Sequence, residues 1–113
     1  MTETPPLNLR DYAPRGRKSL SEMAWNYYAS AADDEITLRE NEAAWGRARL
    51  HYRILADVAS RSTRSNLLGH ELSLPVIAAP TAFHRLADDA GEVATSRATT
   101  AAGTAMVLSS LST

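Results

Sequence analysis

The last third of the chain contains two short apolar runs on either side of one helical segment, and this pattern restricts the possible folds most. Residues 76–79 (Val-Ile-Ala-Ala) and 105–108 (Ala-Met-Val-Leu) do not alternate with polar residues. Such runs are typical of strands that are covered on both faces in a parallel sheet. Between them, Asp88 or Asp89 can cap a helix that ends before Gly103. The pattern therefore predicts a strand–helix–strand unit with a parallel pair.

One such unit cannot complete a sheet or close a barrel, because both edges of the pair would expose unpaired backbone groups. The rest of the chain has few large apolar side chains that could cover the faces of this pair. The whole chain has 113 residues, of which 44% are hydrophobic, but 20 of these hydrophobic residues are alanine. Alanine buries little apolar area, so the core is thin for a free-standing domain. We therefore expect a piece of a larger domain or one chain of a complex.

Composition excludes several classes of function. With 12 basic and 13 acidic residues, the net charge of −1 does not suit a whole-chain nucleic-acid binder. The chain has no cysteine, which excludes disulfides, thiolate metal sites and a cysteine nucleophile and is typical of cytoplasmic proteins. No metal site is expected. No apolar stretch reaches the roughly 18 residues of a membrane span, and the polar N-terminus indicates no secretory signal.

The first part of the chain predicts an irregular lead-in followed by a helix. Residues 1–18 are interrupted by three prolines and are interpreted as irregular. Ser19 and Glu22 fit a capping box, in which each side chain bonds the backbone amide at the other position. We therefore expect a helix from this point to about Ala29.

A second helix and a hairpin follow. Thr37 and Glu40 repeat the capping-box spacing and predict a helix through Trp45. Residues 67–72 then predict two short strands that turn at residues 69–70.

An arginine-rich segment follows an acidic one, and two interpretations are open. The arginines could contact phosphate, or they could form an exposed face that pairs with the acidic group. No aromatic residues or binding motif interleave with them, which favours the ion-paired face over nucleic-acid binding. The arginines are Arg47, Arg49, Arg53, Arg61 and Arg64. The acidic residues are Asp33, Asp34, Glu35, Glu40 and Glu42.

Several ordered blocks from about residue 20 to 113 resemble the FMN-dependent α-hydroxy acid oxidases and dehydrogenases. This family includes glycolate oxidase, lactate oxidase and mandelate dehydrogenase. The spacing of many blocks makes the resemblance specific. The blocks are residues 27–34, 37–41, 53–58, 68–69, 75–82, 91–92, 101–104 and 108–110.

The resemblance implies an α/β fold, namely the N-terminal portion of a TIM (β/α)8 barrel. Residues 19–113 would supply the entrance helices, the hairpin at the bottom of the barrel and the first β-α-β unit. This segment would be truncated after strand 2 and incomplete on its own. FMN would lie at the C-terminal ends of the strands, where such barrels place their active sites.

The resemblance also implies roles for individual residues. Tyr27 would bind the substrate carboxylate through its hydroxyl, a suitable donor to an anion. The alternative for Tyr27 is a core aromatic on the first helix. Pro80, Thr81 and Ala82 would line the isoalloxazine ring with their backbone, and Ser109 would contact the flavin.

Leu111 stands where glycolate oxidases often have tryptophan, at a position that shapes the substrate pocket in this family. It is therefore expected to contact substrate and to leave room for a 2-hydroxy acid bulkier than glycolate. The three histidines match no catalytic position. His51 and His70 are interpreted as surface or turn residues, and His84 as a residue that could approach the pocket rim.

The implied function is the FMN-dependent oxidation of an (S)-2-hydroxy acid to the 2-oxo acid. The family's histidine base and second carboxylate-binding arginine are expected beyond Thr113, so this chain would hold no catalytic residue and be inactive alone. Its expected partners are the remainder of the barrel, the hydroxy acid substrate and further copies of itself. The alternative function is a non-catalytic remnant or interaction module of the same fold.

Overall fold

The computed structural model describes residues 5–113, which divide into two compact units. The first unit ends at Asp57 and contains three α-helices, and the second, Val58–Thr113, contains a hairpin and one further α-helix. Within residues 5–113, no helix is both long enough and apolar enough to cross a membrane.

The described part of the predicted lead-in is helical rather than irregular. A 3-10 turn spans Leu9–Tyr12, and helix α1 spans Ala13–Ser19. The Asn8 side chain accepts a hydrogen bond from the Arg10 amide at 2.9 Å. The prediction was wrong for these residues because proline is tolerated in the first turn of a helix, where its missing amide has no intrahelical partner. Residues 1–4 lie outside the described part.

Helix α2 spans Glu22–Ala29 and therefore ends where the sequence predicts, but Ser19 does not cap it. Its N-cap is Ser21, whose Oγ accepts a hydrogen bond from the Ala24 amide at 3.2 Å. Ser19 instead closes α1, and its hydroxyl donates to the Arg15 carbonyl at 3.0 Å. The predicted capping box was wrong because α1 already occupies Ser19.

Helix α3 spans Ile36–Arg47, so it contains the predicted helix and extends it at both ends. It begins one residue before Thr37, which therefore cannot be its cap. The N-cap is Glu35, with a left-handed φ of 56° and no side-chain cap bond. Glu40 pairs with Arg47 at 2.5 Å. The capping box at Thr37 and Glu40 was wrong, although the helix is present.

Little of the first unit is buried. Ala24 on α2 is 1% exposed, and the Arg17 guanidinium lies 5.7 Å from the centroid of the Trp25 ring. Trp45 remains 81% exposed, and Leu55 is fully exposed. The helices thus leave large apolar side chains uncovered, as expected of a chain that packs on further structure.

The second unit contains the predicted hairpin with its turn shifted by one residue. Strand β1 (Ser65–Leu67) pairs antiparallel with β2 (His70–Leu72). The turn residues are Leu68 and Gly69, with φ of 50° and 85°, and positive values at both positions are typical of a type I′ turn. Leu72 is the buried apolar residue of the hairpin.

The two predicted parallel strands meet at only one point. Ala78 and Met106 form an isolated parallel bridge, in which the Ala78 amide donates to the Ala105 carbonyl and the Val107 amide donates to the Ala78 carbonyl, both at 3.0 Å. The direction of the pair is as predicted, but residues 76–79 and 105–108 do not form continuous strands. A parallel pair without neighbouring strands has too few bonds to extend further.

Helix α4 spans Gly91–Ala101 between these two segments. Asp88 does not cap it directly but accepts a hydrogen bond from the Ala90 amide at 2.8 Å, just before the helix. The helix stops at Gly103 as predicted. There the Thr104 amide donates to the Thr99 carbonyl and the Gly103 amide to the Thr100 carbonyl, which is the Schellman pattern.

Gly103 also lies against the hairpin end. Its φ is 68°, and a Cβ at this position would come within 2.3 Å of Ser73 Oγ. Its carbonyl accepts a hydrogen bond from the Ser73 amide at 2.8 Å. Only glycine satisfies both the left-handed backbone and this close approach.

Two of the five arginines of the basic segment pair with glutamates. Arg47 bonds Glu40, and Arg64 bonds Glu71 across the hairpin. Arg49 and Arg61 donate to nearby backbone carbonyls. These contacts support the ion-paired interpretation over a phosphate-binding patch.

Candidate functional site

The second unit brings together the ends of the two segments that form the parallel bridge. Because the bridge is parallel, residues 80–82 and Ser109 both follow it on the same side. Just beyond them, the Phe83 amide, one residue after Ala82, donates to the carbonyl of Leu111, two residues after Ser109, at 3.0 Å. The predicted flavin-facing segments are therefore neighbours, joined by a main-chain hydrogen bond.

The side chains of these segments are small and partly accessible. Pro80 and Thr81 are exposed, whereas Ala82 and Ser109 are half-buried. The Thr81 hydroxyl donates to the Ala79 carbonyl at 3.4 Å. Ser109 Oγ accepts from the Leu111 amide at 3.1 Å and keeps its own proton for another acceptor. Small side chains and the donor proton of Ser109 suit the close approach of a flat, polar ring such as isoalloxazine.

Leu111 belongs to the same turn. It is 53% exposed, and its amide and carbonyl are held by Ser109 and Phe83, respectively. The Ser112 amide donates to the Ser109 carbonyl at 3.2 Å, which closes the turn around Leu111. An accessible apolar side chain on a fixed backbone can shape a pocket for the apolar part of a ligand.

A buried carboxylate, Glu92, connects the two segments from the first turn of α4. Glu92 is 7% exposed. Its Oε1 accepts from the Thr113 amide at 3.0 Å and from the His84 amide at 3.3 Å. The Thr113 hydroxyl lies 3.2 Å from Oε2 and also accepts from the Arg85 amide at 3.2 Å. One side chain therefore holds residues 84 and 85 against residue 113.

The surroundings of Glu92 favour its charged form. Burial alone would raise the pKa of this carboxyl group. Hydrogen bonds from its own amide and from the amides of Thr113 and His84, together with the Thr113 hydroxyl, outweigh burial and hold the pKa below its usual value. The N-terminal turn of a helix also favours a negative charge. Glu92 is therefore an ionised group at neutral pH.

His84 lies in a 3-10 turn, His84–Leu86, after the first bridged segment. Its Nδ1 is 3.0 Å from Thr95 Oγ1 on α4, and its Nε2 is buried without a hydrogen-bond partner among residues 5–113. The imidazole therefore packs against α4 of its own unit. His51 and His70 are exposed, in agreement with the sequence interpretation.

Tyr27, the predicted carboxylate ligand, lies on α2 of the first unit. Its side chain is 48% exposed, and its ring meets that of Tyr28 edge to face at a centroid distance of 5.2 Å. The carboxylate-binding role of Tyr27 and the alternative of a core aromatic both stay predictions. A half-exposed phenol can offer its hydroxyl to an anion.

The sequence interpretation did not assign a role to Glu92 or Thr113. The Gly91–Glu92 block was noted as part of the family resemblance, but a glutamate in the first turn of a helix is ordinarily solvated. No group of three or more His, Asp or Glu side chains within residues 5–113 is arranged to hold a metal ion.

Comparison with known proteins identifies the family. The model of the FMN-dependent dehydrogenase family matches residues 16–113. The L-lactate oxidase of a Nostoc species is 48% identical over 108 residues, which are 96% of this chain and 30% of that protein. Glycolate oxidase 3 of Oryza sativa subsp. japonica is 43% identical over 94% of this chain and 29% of that protein.

Superposition of the backbone on solved structures supports the same family. A soluble mutant of the membrane-associated (S)-mandelate dehydrogenase from Pseudomonas putida superimposes with a TM-score of 0.87 at 31% identity. The alignment covers 96% of this chain and 31% of that structure. The chain thus spans about 30% of the length of the curated relatives it matches. Since the family model covers most of its residues, the chain belongs to the FMN-dependent dehydrogenase family.

Proposed function

We propose that this chain is the N-terminal portion of an FMN-dependent enzyme that oxidises an (S)-2-hydroxy acid to the 2-oxo acid. The observation that carries the proposal is the hydrogen bond between Phe83 and Leu111, which sets residues 80–82 beside Ser109. Membership of the family and the names of the relatives support the same reaction.

The proposed site residues divide into those that would hold the flavin and those that would bind the substrate. Pro80, Thr81, Ala82 and Ser109 would hold the flavin ring, with small side chains that allow close approach and hydroxyls that offer hydrogen bonds. When bound, FMN supplies the two-electron acceptor for the oxidation. Tyr27 would donate its phenolic proton to the substrate carboxylate and so orient the hydroxyl-bearing carbon.

Leu111 would contact the substrate side chain. A leucine is smaller than the tryptophan expected in glycolate oxidases, so the preferred substrate would be bulkier than glycolate. Lactate and mandelate are the natural candidates, since relatives bear these names. The base that takes the substrate proton would lie beyond Thr113.

The rest of the architecture follows from the same proposal. Residues 19–113 would form the entrance helices, the bottom hairpin and the first β-α-β unit of a (β/α)8 barrel, and later residues would complete the sheet around the isolated bridge. We also propose a cytoplasmic homo-oligomer. The lack of cysteine supports the location, and family resemblance supports the assembly.

The proposal is tested on the full-length protein that carries this chain. We expect the purified protein to retain FMN, seen in its visible absorption spectrum, and to oxidise L-lactate or (S)-mandelate faster than glycolate. The 2-oxo acid product is measured directly by chromatography. A full-length protein that binds no FMN, or that holds FMN but oxidises none of the three acids, would contradict the proposal.

A further inference from the structure

We propose that Glu92 is a positioning residue that fixes the segment after Ala82 against the segment after Ser109, and so sets the place of Leu111 beside the substrate. The inference rests on the proposed function. It adds a role for a side chain that lies on α4, outside the residues expected to touch flavin or substrate.

The first support is the set of donors that meet at Glu92. The amides of His84 and Thr113 and the Thr113 hydroxyl all point at its carboxylate. Two of the donors come from one end of the site and one from the other, so the carboxylate bridges them. The Glu92 amide also bonds this carboxylate, but the donors of His84 and Thr113 lie outside α4 and come from both segments.

The second support is that Glu92 carries a buried negative charge, which hydrogen-bond donors must stabilise. Glu92 is 7% exposed and forms no ion pair with a described lysine or arginine. A buried carboxylate without a cation is tolerated only where hydrogen-bond donors replace its water. The donors are backbone amides and a hydroxyl, so keeping the charge requires both segments to stay in place.

The third support is the position of Thr113 and His84 relative to the site. Thr113 follows Leu111 by two residues, and His84 follows Ala82 by two residues. The Arg85 amide, bonded to the Thr113 hydroxyl, adds a direct link between the segments. Together with the Phe83–Leu111 bond, these contacts enclose the turn that carries Leu111 on both sides.

The test compares Glu92→Ala and Glu92→Gln with a matched control, Glu71→Ala, in the full-length protein. Glu71 is an exposed glutamate on β2 that pairs with Arg64, away from these segments. Hydrogen–deuterium exchange of peptides covering residues 83–85 and 111–113 measures whether Glu92 holds the two segments together. This measurement does not depend on activity. We expect exchange there to rise about tenfold in Glu92→Ala and to stay near wild type in Glu71→Ala.

The second readout is substrate selectivity. We expect the ratio of kcat/KM for (S)-mandelate to that for L-lactate to change about fivefold in Glu92→Ala, because Leu111 is no longer fixed. Glu92→Gln keeps one carbonyl acceptor for the two amides and should restore most of the protection and the selectivity. Unchanged exchange and selectivity in Glu92→Ala would overturn the proposal.

A further pair of variants, both at Thr113, tests the proposal in the case that Glu92→Ala does not fold. Thr113→Val removes the hydroxyl that joins Arg85 to Glu92, whereas Thr113→Ser keeps it. Faster exchange and altered selectivity in the valine variant alone would support the positioning role of Glu92. Identical behaviour of the two variants would contradict that role. A wild-type protein that lacks flavin would refute the proposed function, while the exchange data would still decide whether Glu92 ties the segments.

Discussion

The Phe83 amide donates a hydrogen bond of 3.0 Å to the Leu111 carbonyl, and this bond joins the two segments that the proposal places around the flavin. Phe83 follows Ala82 directly, and Leu111 lies two residues after Ser109. The proposed flavin floor and the proposed substrate contact at Leu111 therefore share one backbone framework.

Replacing Tyr27 with phenylalanine should weaken substrate binding. A hydrogen bond to a charged group contributes about 1.5–3 kcal/mol, so Tyr27→Phe should lower kcat/KM for the preferred 2-hydroxy acid by about tenfold or more, with flavin still bound. Steady-state kinetics of the full-length protein measure this. Tyr28→Phe, on the neighbouring ring, serves as the control, and equal losses in the two variants would contradict the assignment.

Shortening Leu111 should shift the substrate range toward larger acids. Leu111→Ala removes apolar contact worth about 1–3 kcal/mol in a pocket, which predicts a change of about tenfold in the relative kcat/KM for (S)-mandelate over L-lactate. Leu68→Ala is the control, because Leu68 is 91% exposed in the hairpin turn. Parallel kinetics that show the same ratio in both variants would exclude Leu111 from the pocket.

The two neighbouring serines before α2 should differ in their effect on stability. Ser21→Ala removes the N-cap of α2 and should reduce the free energy of unfolding by about 1 kcal/mol. Ser19→Ala should cost less, because that hydroxyl donates back to the Arg15 carbonyl inside α1 and caps no helix start. Urea denaturation of the full-length variants distinguishes them, and a larger loss from Ser19→Ala would place the cap at Ser19 after all.

Gly103→Ala should destabilise the protein, since it combines a left-handed backbone with a clash against Ser73. A loss of about 1–3 kcal/mol is expected, measured as a lower urea midpoint. Gly46→Ala is the opposite control, because Gly46 lies in α3 with open space around it and should gain about 0.5–1 kcal/mol. Adding Ser73→Gly to Gly103→Ala should recover part of the loss, and no recovery would mean that the clash is not its source.

The charge of Glu92 should make stability depend on pH in the acid range. Hydrogen bonds hold its folded-state pKa below the value of about 4.3 found in an unfolded chain. Its contribution is therefore present above about pH 4.3 and is lost as the pH falls through the folded-state pKa. Urea midpoints of wild type and Glu92→Gln should differ at pH 6 and converge toward pH 3. A constant difference across this range would contradict the assignment.

The sequence alone indicated α2, α3, α4 and the hairpin because their signals are local, but it did not indicate α1. The helix around Leu38 and Trp45 and the turn at Gly69 depend on residues close together in the chain. Helix starts were less predictable. Ser19 and Ser21 are both good caps, and only the presence of α1 decides between them.

For the candidate site, the sequence indicated segments whose role stays a prediction, and it did not indicate their contacts. Family resemblance pointed to residues 80–82 and to Ser109, and their placement on one side of the parallel bridge is consistent with that. Glu92 could not be assigned, because its role depends on amides that are 8 and 21 residues away in sequence. Long-range hydrogen bonds to backbone carry no residue-type signal.

The bonds that fix the turn at Leu111 use main-chain atoms on the Leu111 side. Under the proposed function, the Leu111 side chain would set the substrate range, whereas its main-chain atoms hold the backbone path. Under the two proposals, a substitution at position 111 would leave the course of the turn unchanged, whereas a substitution at Glu92 would alter it. To change the proposed substrate preference, position 111 would therefore be randomised while Glu92 is kept.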